Sequence, residues 1–305
     1  MLTDLLSIDD LGDNEVAHLV RLAQGYRSRA VVDRPLEGQS VALIFEKPSL
    51  RTHLSFDVGV YELGGHSVYL SGEAVGLNSR EPAEDIARVV ERWCSIIVAR
   101  VHTHDTLRQL ADAASVPVVN ALSDEEHPCQ AMADLTTIQQ RLGRLEGVTV
   151  AYVGDANNVA RSLALACAAV GARFRIASPE GYGLAHDWVA RINARYVGKD
   201  MSVACFVEPA DAVAGAEVVY TDVWTSMGDE HQAAARRKAF EGYQVDEELL
   251  GQALPGAILM HDMPAHYGEE VPLGMLTHPS SAAFDQAENR LHAQKAVLRY
   301  LATGE

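Results

Sequence analysis

The chain has 305 residues, 48% of them hydrophobic, and a formal net charge of −17. This length can bury a large core and is typical of about two domains. The acidic balance and the scattered basic residues disfavour binding to nucleic acid or to acidic membranes. No stretch approaches the roughly 18 to 20 apolar residues of a membrane span, and the amino-terminal segment is acidic where a secretory signal is basic, so we expect a soluble cytoplasmic protein.

The four cysteines are dispersed and form no CxxC pair; they are Cys94, Cys129, Cys167 and Cys205. Neither a disulfide framework nor a zinc ribbon is indicated by this spacing. We therefore predict buried, reduced thiols and no metal site.

Short apolar runs alternate with longer helical patterns, which is typical of βαβ units around a parallel sheet. The predicted strands are 41–45, 67–70, 96–99 and 116–119 in the first half, and 148–153, 174–177, 203–206, 218–221 and 257–261 in the second. Helices are predicted over 85–94, 130–142, 159–170 and 288–303. The fold class is therefore α/β, with two doubly wound parallel-sheet domains and the active site in the cleft between them. We predict a first domain over 1–135, completed by the helix 288–305, and a second over 144–287.

Residues 45–53 read FEKPSLRTH, a strand end followed by a turn and a helix start. Backbone N–H groups at a helix N-terminus are unpaired and partly positive, and Ser49, Arg51 and Thr52 add donors for phosphate oxygens. The segment therefore indicates an anion site. An ordinary N-cap role for Ser49 is about as well supported by this segment alone.

Residues 124–130 read DEEHPCQ, so that His127 and Gln130 flank a proline that opens a helix. Both side chains could then face a carbonyl or phosphate oxygen from one helix end. Taken alone, a His-Pro pair beside acidic residues is more often a surface turn.

Residues 220–228 read YTDVWTSMG, which places Asp222 at the carboxyl end of a strand, where ligand sites of open α/β sheets lie. A carboxylate there suits a cationic amine, although an Asp that caps a loop is equally common.

Residues 261–268, HDMPAHYG, follow the last strand in the same way, and Asp262 and His266 could simply pair with each other. The turn 150–158, VAYVGDANN, lacks the GxGxxG spacing of dinucleotide sites and could present Asn158 to a small ligand.

The order and spacing of these segments over nearly the whole chain resemble the aspartate and ornithine carbamoyltransferase family. The SLRT run at 49–52 is similar to its carbamoyl phosphate signature, and HPCQ at 127–130 to its His-Pro-x-Gln element, with Arg100 ending the strand before it. Asp222 with the Ser226-Met227-Gly228 loop resembles the ornithine branch, and Arg290 matches the family's final arginine. The resemblance implies transfer of a carbamoyl group from carbamoyl phosphate to ornithine, giving citrulline, in arginine biosynthesis.

The resemblance also implies a role for each matched residue. Arg100, His127, Asp262 and Arg290 would be catalytic. Carbamoyl phosphate would contact Ser49, Leu50, Arg51, Thr52, Arg100, His127, Gln130, Asp262, Met263 and Arg290. Ornithine would contact Asn158, Asp222, Ser226 and Met227. The first domain would bind carbamoyl phosphate and the second the amino acid, without a cofactor, in a homotrimer or a multiple of it.

Three positions depart from the family pattern. Asp262 stands where the ornithine branch has cysteine, Tyr267 where an arginine is common, and His53 where the signature has its second arginine. A carboxylate at 262 would raise the pKa of the attacking ammonium, yet it could also accept the proton lost during attack. Two alternatives to ornithine carbamoyl transfer therefore stay open: transfer to a different amine, and ligand binding without turnover.

Overall fold

The computed structural model describes residues 3–196, 203–226 and 228–305. Its strands are β1 (Ser40–Phe45), β2 (His66–Ser71), β3 (Ile96–Arg100), β4 (Val118–Leu122), β5 (Thr149–Val153), β6 (Arg173–Ala177), β7 (Val203–Phe206), β8 (Val218–Thr221) and β9 (Ile258–His261). Its α-helices are α1 (Asp13–Arg27), α2 (Leu50–Glu62), α3 (Gly72–Val75), α4 (Ala83–Val90), α5 (His104–Ala113), α6 (Pro128–Leu142), α7 (Asn158–Ala169), α8 (His186–Arg195), α9 (Pro209–Val213), α10 (Ala233–Ala239), α11 (Glu247–Leu250) and α12 (Ala283–Thr303). Short 3₁₀ helices cover Ile8–Asp10, Glu230–Gln232 and Met275–Thr277. None of these helices is long and apolar enough to cross a membrane.

The chain folds as two units that each contain one sheet. Unit 1 comprises Met1–Thr136, Asn157–Ser162 and Glu288–Glu305, and unit 2 comprises Thr137–Ala156 and Leu163–Ala287. The first turns of α7 therefore belong to unit 1, although β5 before them and the rest of α7 belong to unit 2. Most of α12, from Glu288 onward, likewise belongs to unit 1, although it follows the sheet of unit 2 in sequence.

The sheet of unit 1 has the strand order β2-β1-β3-β4, and all its pairs are parallel. Both faces of such a sheet are covered by crossover helices, which explains why β1 and β3 are nearly continuous runs of buried apolar residues. The amino-terminal segment continues the pairing beyond β4, since Leu5 forms a parallel bridge with Val119. Phe45, Arg100 and Leu122 end their strands at one edge of this sheet.

The sheet of unit 2 has the order β7-β6-β5-β8-β9 and is also parallel throughout. Its core contains small residues from β5 and β6 and larger ones such as Trp224 and Phe240, whose rings stack at 5.7 Å. Thr221 of β8 pairs with His261 of β9, so that the loops after these strands begin side by side.

The predicted fold class, α/β with two parallel sheets, is confirmed, and the predicted strands are present with small changes in length. The fourth strand starts at Val118 rather than Val116 because Pro117 cannot donate a ladder hydrogen bond. The last helix starts at Ala283, where the Ser281 hydroxyl accepts the backbone N–H, so Arg290 lies in its second turn rather than at its head.

The cysteines are free thiols, and three of them are buried as predicted: Cys94, Cys129 and Cys167. The prediction is wrong for Cys205, which is exposed. The physical reason is its position on β7, which forms one edge of the sheet in unit 2 and is covered less completely than the central strands.

Candidate active site

The N-terminus of α2 directly follows β1 and its short connecting turn. Ser49 is the N-cap, and its hydroxyl accepts the backbone N–H of Thr52 at 3.3 Å. Thr52 is fully buried, Arg51 is half-buried, and Leu50 is 74% exposed. The other N–H groups of this first turn carry the partial positive charge of the helix, which favours an anion in front of it. Ser49 thus acts as an ordinary cap at a helix end that also suits phosphate.

A buried chain of hydrogen bonds joins three distant segments of unit 1. Arg290 on α12 donates from Nη2 to the Thr52 hydroxyl and, at 2.5 Å, from Nη1 to Oε1 of Gln130 on α6. Gln130 in turn donates from Nε2 to Asp134 Oδ1 at 2.8 Å. These four side chains are at most 3% exposed. The amide of Gln130 is thereby fixed in one orientation, with a second N–H hydrogen left on Nε2.

Close packing of two helices brings Arg290 to this position. A Cβ on Gly59 of α2 would lie 3.3 Å from Cγ of Lys295 and 3.5 Å from Cδ1 of Leu291 on α12. Alanine at 59 would require Cγ of Lys295 to move by a few tenths of an ångström, and a bulkier side chain would require α12 itself to shift. We expect such a shift to lengthen the contact between Arg290 and Thr52.

His127 immediately precedes α6 and is 2% exposed. Burial lowers its pKa well below the usual value, and the charges of Arg290 and Arg100 lower the pKa further. The ring is therefore neutral near pH 7. Its Nδ1 is buried without a hydrogen-bond partner among the described residues, which leaves the imidazole available to a ligand. Burial also raises the pKa of the neighbouring Cys129 thiol to about 12, which excludes a thiolate nucleophile there.

Arg100 and Asn158 also belong to unit 1. Arg100 is the last residue of β3 and is 8% exposed, and its carbonyl oxygen accepts the backbone N–H of Glu46 at 2.8 Å. Asn158 is the first residue of α7, and its Nδ2 donates to the carbonyl oxygen of Ser123 at 2.6 Å. This amide therefore stabilises the turn before His127 in addition to any role toward a ligand.

In unit 2, two carboxylates meet at the carboxyl ends of β8 and β9. Asp222, Asp262 and the His261 ring each place a polar atom within 4.8 Å of the others. Asp222 is 6% exposed, and its Oδ1 accepts the N–H of Val223 at 2.7 Å. Two adjacent carboxylates of this kind complement a cationic amine. Ser226 lies half-buried in the loop after β8, whereas Met227 lies outside the described residues.

A buried histidine and a buried glutamate hold the loop that carries Asp262. His261 accepts the N–H of Met263 on Nδ1 at 2.9 Å, and its Nε2 lies 3.1 Å from Oε1 of Glu270. The same carboxylate oxygen accepts the N–H of His266 at 2.6 Å. Met263 has a positive φ of 57°, a conformation that a side-chain residue keeps only when its surroundings impose it. Nδ1 of His266 lies 3.9 Å from Oε2 of Glu269.

Two groups of side chains in the described residues have metal-ligand atoms close together. In the first, formed by Asp222, His261 and Asp262, both ring nitrogens of the histidine have the contacts given above. In the second, formed by His266, Glu269 and Glu270, Glu269 accepts from Arg237 Nε at 2.8 Å.

The sequence reasoning missed Asp134, which holds Gln130. A signal for it exists, because residues i and i+4 of a helix are neighbours and the pair Gln130 and Asp134 has this spacing.

Comparison with known proteins identifies relatives over the whole chain. The family model described as "Aspartate/ornithine carbamoyltransferase, carbamoyl-P binding domain" matches residues 3–140, and the one described as "Aspartate/ornithine carbamoyltransferase, Asp/Orn binding domain" matches residues 146–301. An ornithine carbamoyltransferase of Acidothermus cellulolyticus is 49% identical over 99% of this chain and 97% of its own. An anabolic ornithine carbamoyltransferase of Pyrococcus furiosus is 43% identical over 99% of this chain and 96% of its own. The solved ornithine carbamoyltransferase structure from P. furiosus superposes with a TM-score of 0.94, covering 99% of this chain and 97% of that one.

Proposed function

Since the chain belongs to the aspartate/ornithine carbamoyltransferase family, we propose that it transfers the carbamoyl group of carbamoyl phosphate to the side-chain amine of L-ornithine. The products are L-citrulline and phosphate. The observation that carries the proposal is the buried contact of Arg290 with Thr52 and Gln130, beside the neutral His127. A family member that had lost catalysis would have no reason to keep this costly buried polar cluster complete. The anabolic relative supports a role in arginine biosynthesis.

In this proposal unit 1 binds carbamoyl phosphate. The phosphate is held by the N-terminus of α2 together with Ser49, Leu50, Arg51, Thr52 and Arg100. The carbonyl oxygen of the carbamoyl group faces Arg290, His127 and the remaining N–H of Gln130. Because His127 is neutral, it donates a hydrogen bond without placing a full charge on the ligand.

The amino acid is bound by Asn158 and by residues of unit 2: Asp222, Ser226 and Met227. The paired carboxylates of Asp222 and Asp262 attract the two ammonium groups of ornithine. A free amine of this type has a pKa near that of lysine, about 10.4, so a proton must leave before or during attack. Asp262 is the proposed acceptor of that proton, and it lies with Met263 on the loop that His261 and Glu270 hold by hydrogen bonds.

The reaction then proceeds by addition and elimination. The amine nitrogen attacks the carbamoyl carbon, and the carbonyl oxygen takes the negative charge of the tetrahedral intermediate. Donors that are already oriented toward this oxygen lower the barrier, because they need no reorganisation when the charge develops. The bond from carbon to the phosphate oxygen then breaks with its electron pair on that oxygen, and the second amine proton passes to the departing phosphate, which leaves as hydrogen phosphate, while Asp262 holds the first proton.

The deciding experiment is detection of ureido product when the purified protein is mixed with carbamoyl phosphate and one amine. The amines are ornithine, putrescine, lysine, aspartate and N-acetylornithine. We expect product with ornithine and, in an Arg51→Ala variant of unchanged fold, a loss of a hundredfold or more, since one donor to the developing charge is worth roughly 3 to 4 kcal/mol. Product with another amine alone would show that this amine, and not ornithine, is the acceptor. Binding of carbamoyl phosphate without any product would refute turnover.

The proposed assembly is a homotrimer or a multiple of it, in the cytoplasm. Its support in this chain is an apolar stripe on one face of α2, where Leu50, Leu54 and Tyr61 are 74%, 55% and 79% exposed. Exposed apolar surface of this size commonly marks a contact between subunits. Light scattering should give three times the 33.0 kDa of one chain or a multiple of that mass. A monomer would contradict the proposal.

A further inference from the structure

Glu126 is a buried carboxylate immediately before His127 that the proposed ligand contacts do not include. It is 1% exposed, and both of its oxygens accept hydrogen bonds. Oε1 accepts from the Ser7 hydroxyl at 2.5 Å, and Oε2 accepts from the Ser162 hydroxyl at 3.0 Å and from the Ile8 N–H at 3.1 Å. These partners lie more than 30 residues away on either side, and all belong to unit 1. The hydrogen bonds of the Glu126 carboxylate therefore join three segments of the chain: the amino-terminal segment, the turn before α6, and α7.

The contact with Ser162 reaches the backbone of His127. The Ser162 oxygen accepts the His127 N–H at 2.8 Å while its hydroxyl hydrogen points to Glu126. Because the Ser162 hydroxyl donates its one hydrogen to Glu126, its oxygen lone pairs are left for the His127 N–H. On its other side Glu126 orders Ser7 in the same way, and that oxygen accepts the Asp9 N–H at 3.0 Å. One carboxylate thus turns two hydroxyls into oriented acceptors.

We propose that Glu126, acting through Ser162, is a positioning residue for His127. The His127 carbonyl oxygen accepts the N–H groups of Gln130 and Ala131 in the first turn of α6, at 3.0 and 3.2 Å, whereas its own N–H is directed to Ser162, at the point where the turn 123–127 enters α6. A fixed N–H direction fixes the Cα–Cβ direction, and with it the imidazole that faces the carbamoyl oxygen. A shift of about 1 Å at such a group can cost on the order of a hundredfold in rate. The inference rests on the proposed function, because it assigns His127 a ligand.

The test measures kcat and the KM for carbamoyl phosphate in Ser162→Ala, Glu126→Ala and Glu126→Gln. We expect kcat to fall tenfold or more in the two alanine variants, with less than a threefold change in KM, because the phosphate contacts are elsewhere. Glutamine can keep its oxygen toward Ser162 and Ile8 and turn its NH₂ toward Ser7. Glu126→Gln should therefore retain kcat within about threefold, which a simple need for negative charge would not allow.

Two controls separate positioning from general loosening of the fold. Ser7→Ala removes a partner of the same carboxylate that does not contact His127, and Glu125→Gln alters the adjacent acid, which pairs with Arg108 at the surface. Both should keep kcat within twofold, although Ser7→Ala should lower the unfolding midpoint as Ser162→Ala does. Equal loss of kcat in Ser7→Ala and Ser162→Ala would overturn the proposal.

A measurement without substrate keeps the inference testable on its own. Hydrogen exchange of peptides covering 123–130 should be faster in Ser162→Ala and Glu126→Ala than in the wild type or Glu125→Gln, because the His127 N–H loses its acceptor. Unchanged exchange there would refute the link from Glu126 to His127. A wild-type protein that makes no citrulline would instead refute the proposed function and leave the exchange result to decide the positioning.

Discussion

The candidate residues of unit 1 and those of unit 2 are held in place by different means. In unit 1 the side chains bond to one another, as in the chain from Thr52 through Arg290 to Gln130. In unit 2 Asp262 lies on the backbone that His261 and Glu270 hold after β9, and Asp222 accepts the N–H of its neighbour Val223 after β8. A substitution in unit 1 should therefore disturb several partners together, whereas one in unit 2 should alter the chemistry of a single group.

The largest expected effect is that of Arg290→Met, which removes the centre of the unit 1 chain. We expect kcat/KM for carbamoyl phosphate to fall a hundredfold to a thousandfold, or roughly 3 to 4 kcal/mol, since the proposed donor to the developing oxyanion is lost. The matched control is Arg299→Met on the same helix, where the arginine pairs with Asp33 at a distance of 2.6 Å. That control should keep its activity. A loss of less than tenfold in Arg290→Met would show that the bonded chain is not the catalytic centre.

Unit 1 is expected to lose folding stability at acid pH before unit 2. Burial lowers the pKa of His104, His127 and His292, which all belong to unit 1. With the folded pKa below the unfolded value, the unfolded chain binds more protons, so stability is complete above about pH 6.5 and is lost as the pH falls below it. A histidine that stays neutral when folded contributes a loss of about 2 kcal/mol by pH 5. Urea unfolding at pH 7, 6 and 5 should show this decline, and His127→Gln should reduce its slope.

Hydrogen exchange at the same pH values would locate the effect. Protection should decrease first in β1 to β4 and later in β5 to β9, because the histidines with lowered pKa lie in unit 1. Equal loss of protection in both sheets would contradict the assignment to unit 1.

The fold could be predicted from the sequence wherever a signal is local. The strands 203–206 and 218–221 agree with the prediction to the residue because each is a short apolar run, and the second is bounded by Glu217 and Asp222. The short helices α3 and α11 were not predicted, because each depends on one capping side chain, Ser71 and Asp246, rather than on a periodic pattern.

The candidate site divides in the same way. Motifs such as SLRT and HPCQ indicate donors at helix starts, so Thr52 and Gln130 were found from local sequence. The contacts from Ser162 to Glu126 and His127 could not be found in this way, because they join residues about 35 positions apart with no spacing rule between them. What the sequence lacks is the partner of each polar group, which only the packing of the segments supplies.

A smaller effect is expected at Asp262, the residue of unit 2 that we propose binds the ornithine amine. Asp262→Asn removes the carboxylate that we propose raises the pKa of the ornithine ammonium, so the acidic limb of kcat/KM for ornithine should move to lower pH. The KM should rise about tenfold, or roughly 1.4 kcal/mol, from the lost charge pair. Asp262→Cys should stay active with an altered profile, and Glu248→Asn, at an exposed acid of the same unit, should leave it unchanged. An unaltered profile in both Asp262 variants would show that this side chain does not face the amine.

The smallest effect is expected at His53, which lies on α2 in unit 1. Its ring stacks on Tyr69 with centroids 4.1 Å apart, beside Phe45 at the end of β1. The ring therefore has a packing role that arginine can partly keep, since a guanidinium also stacks on aromatic faces. His53→Arg adds a permanent positive charge near the N-terminus of α2, and an exposed or half-exposed charge of this kind is worth up to about 1 kcal/mol. The KM for carbamoyl phosphate should fall by about threefold at low salt, and the gain should disappear as salt screens the charge.

The control is His66→Arg, an exposed histidine at the opposite end of the same sheet. If both variants lower the KM equally, the gain comes from net charge rather than from position, and His53 has no part in the phosphate site.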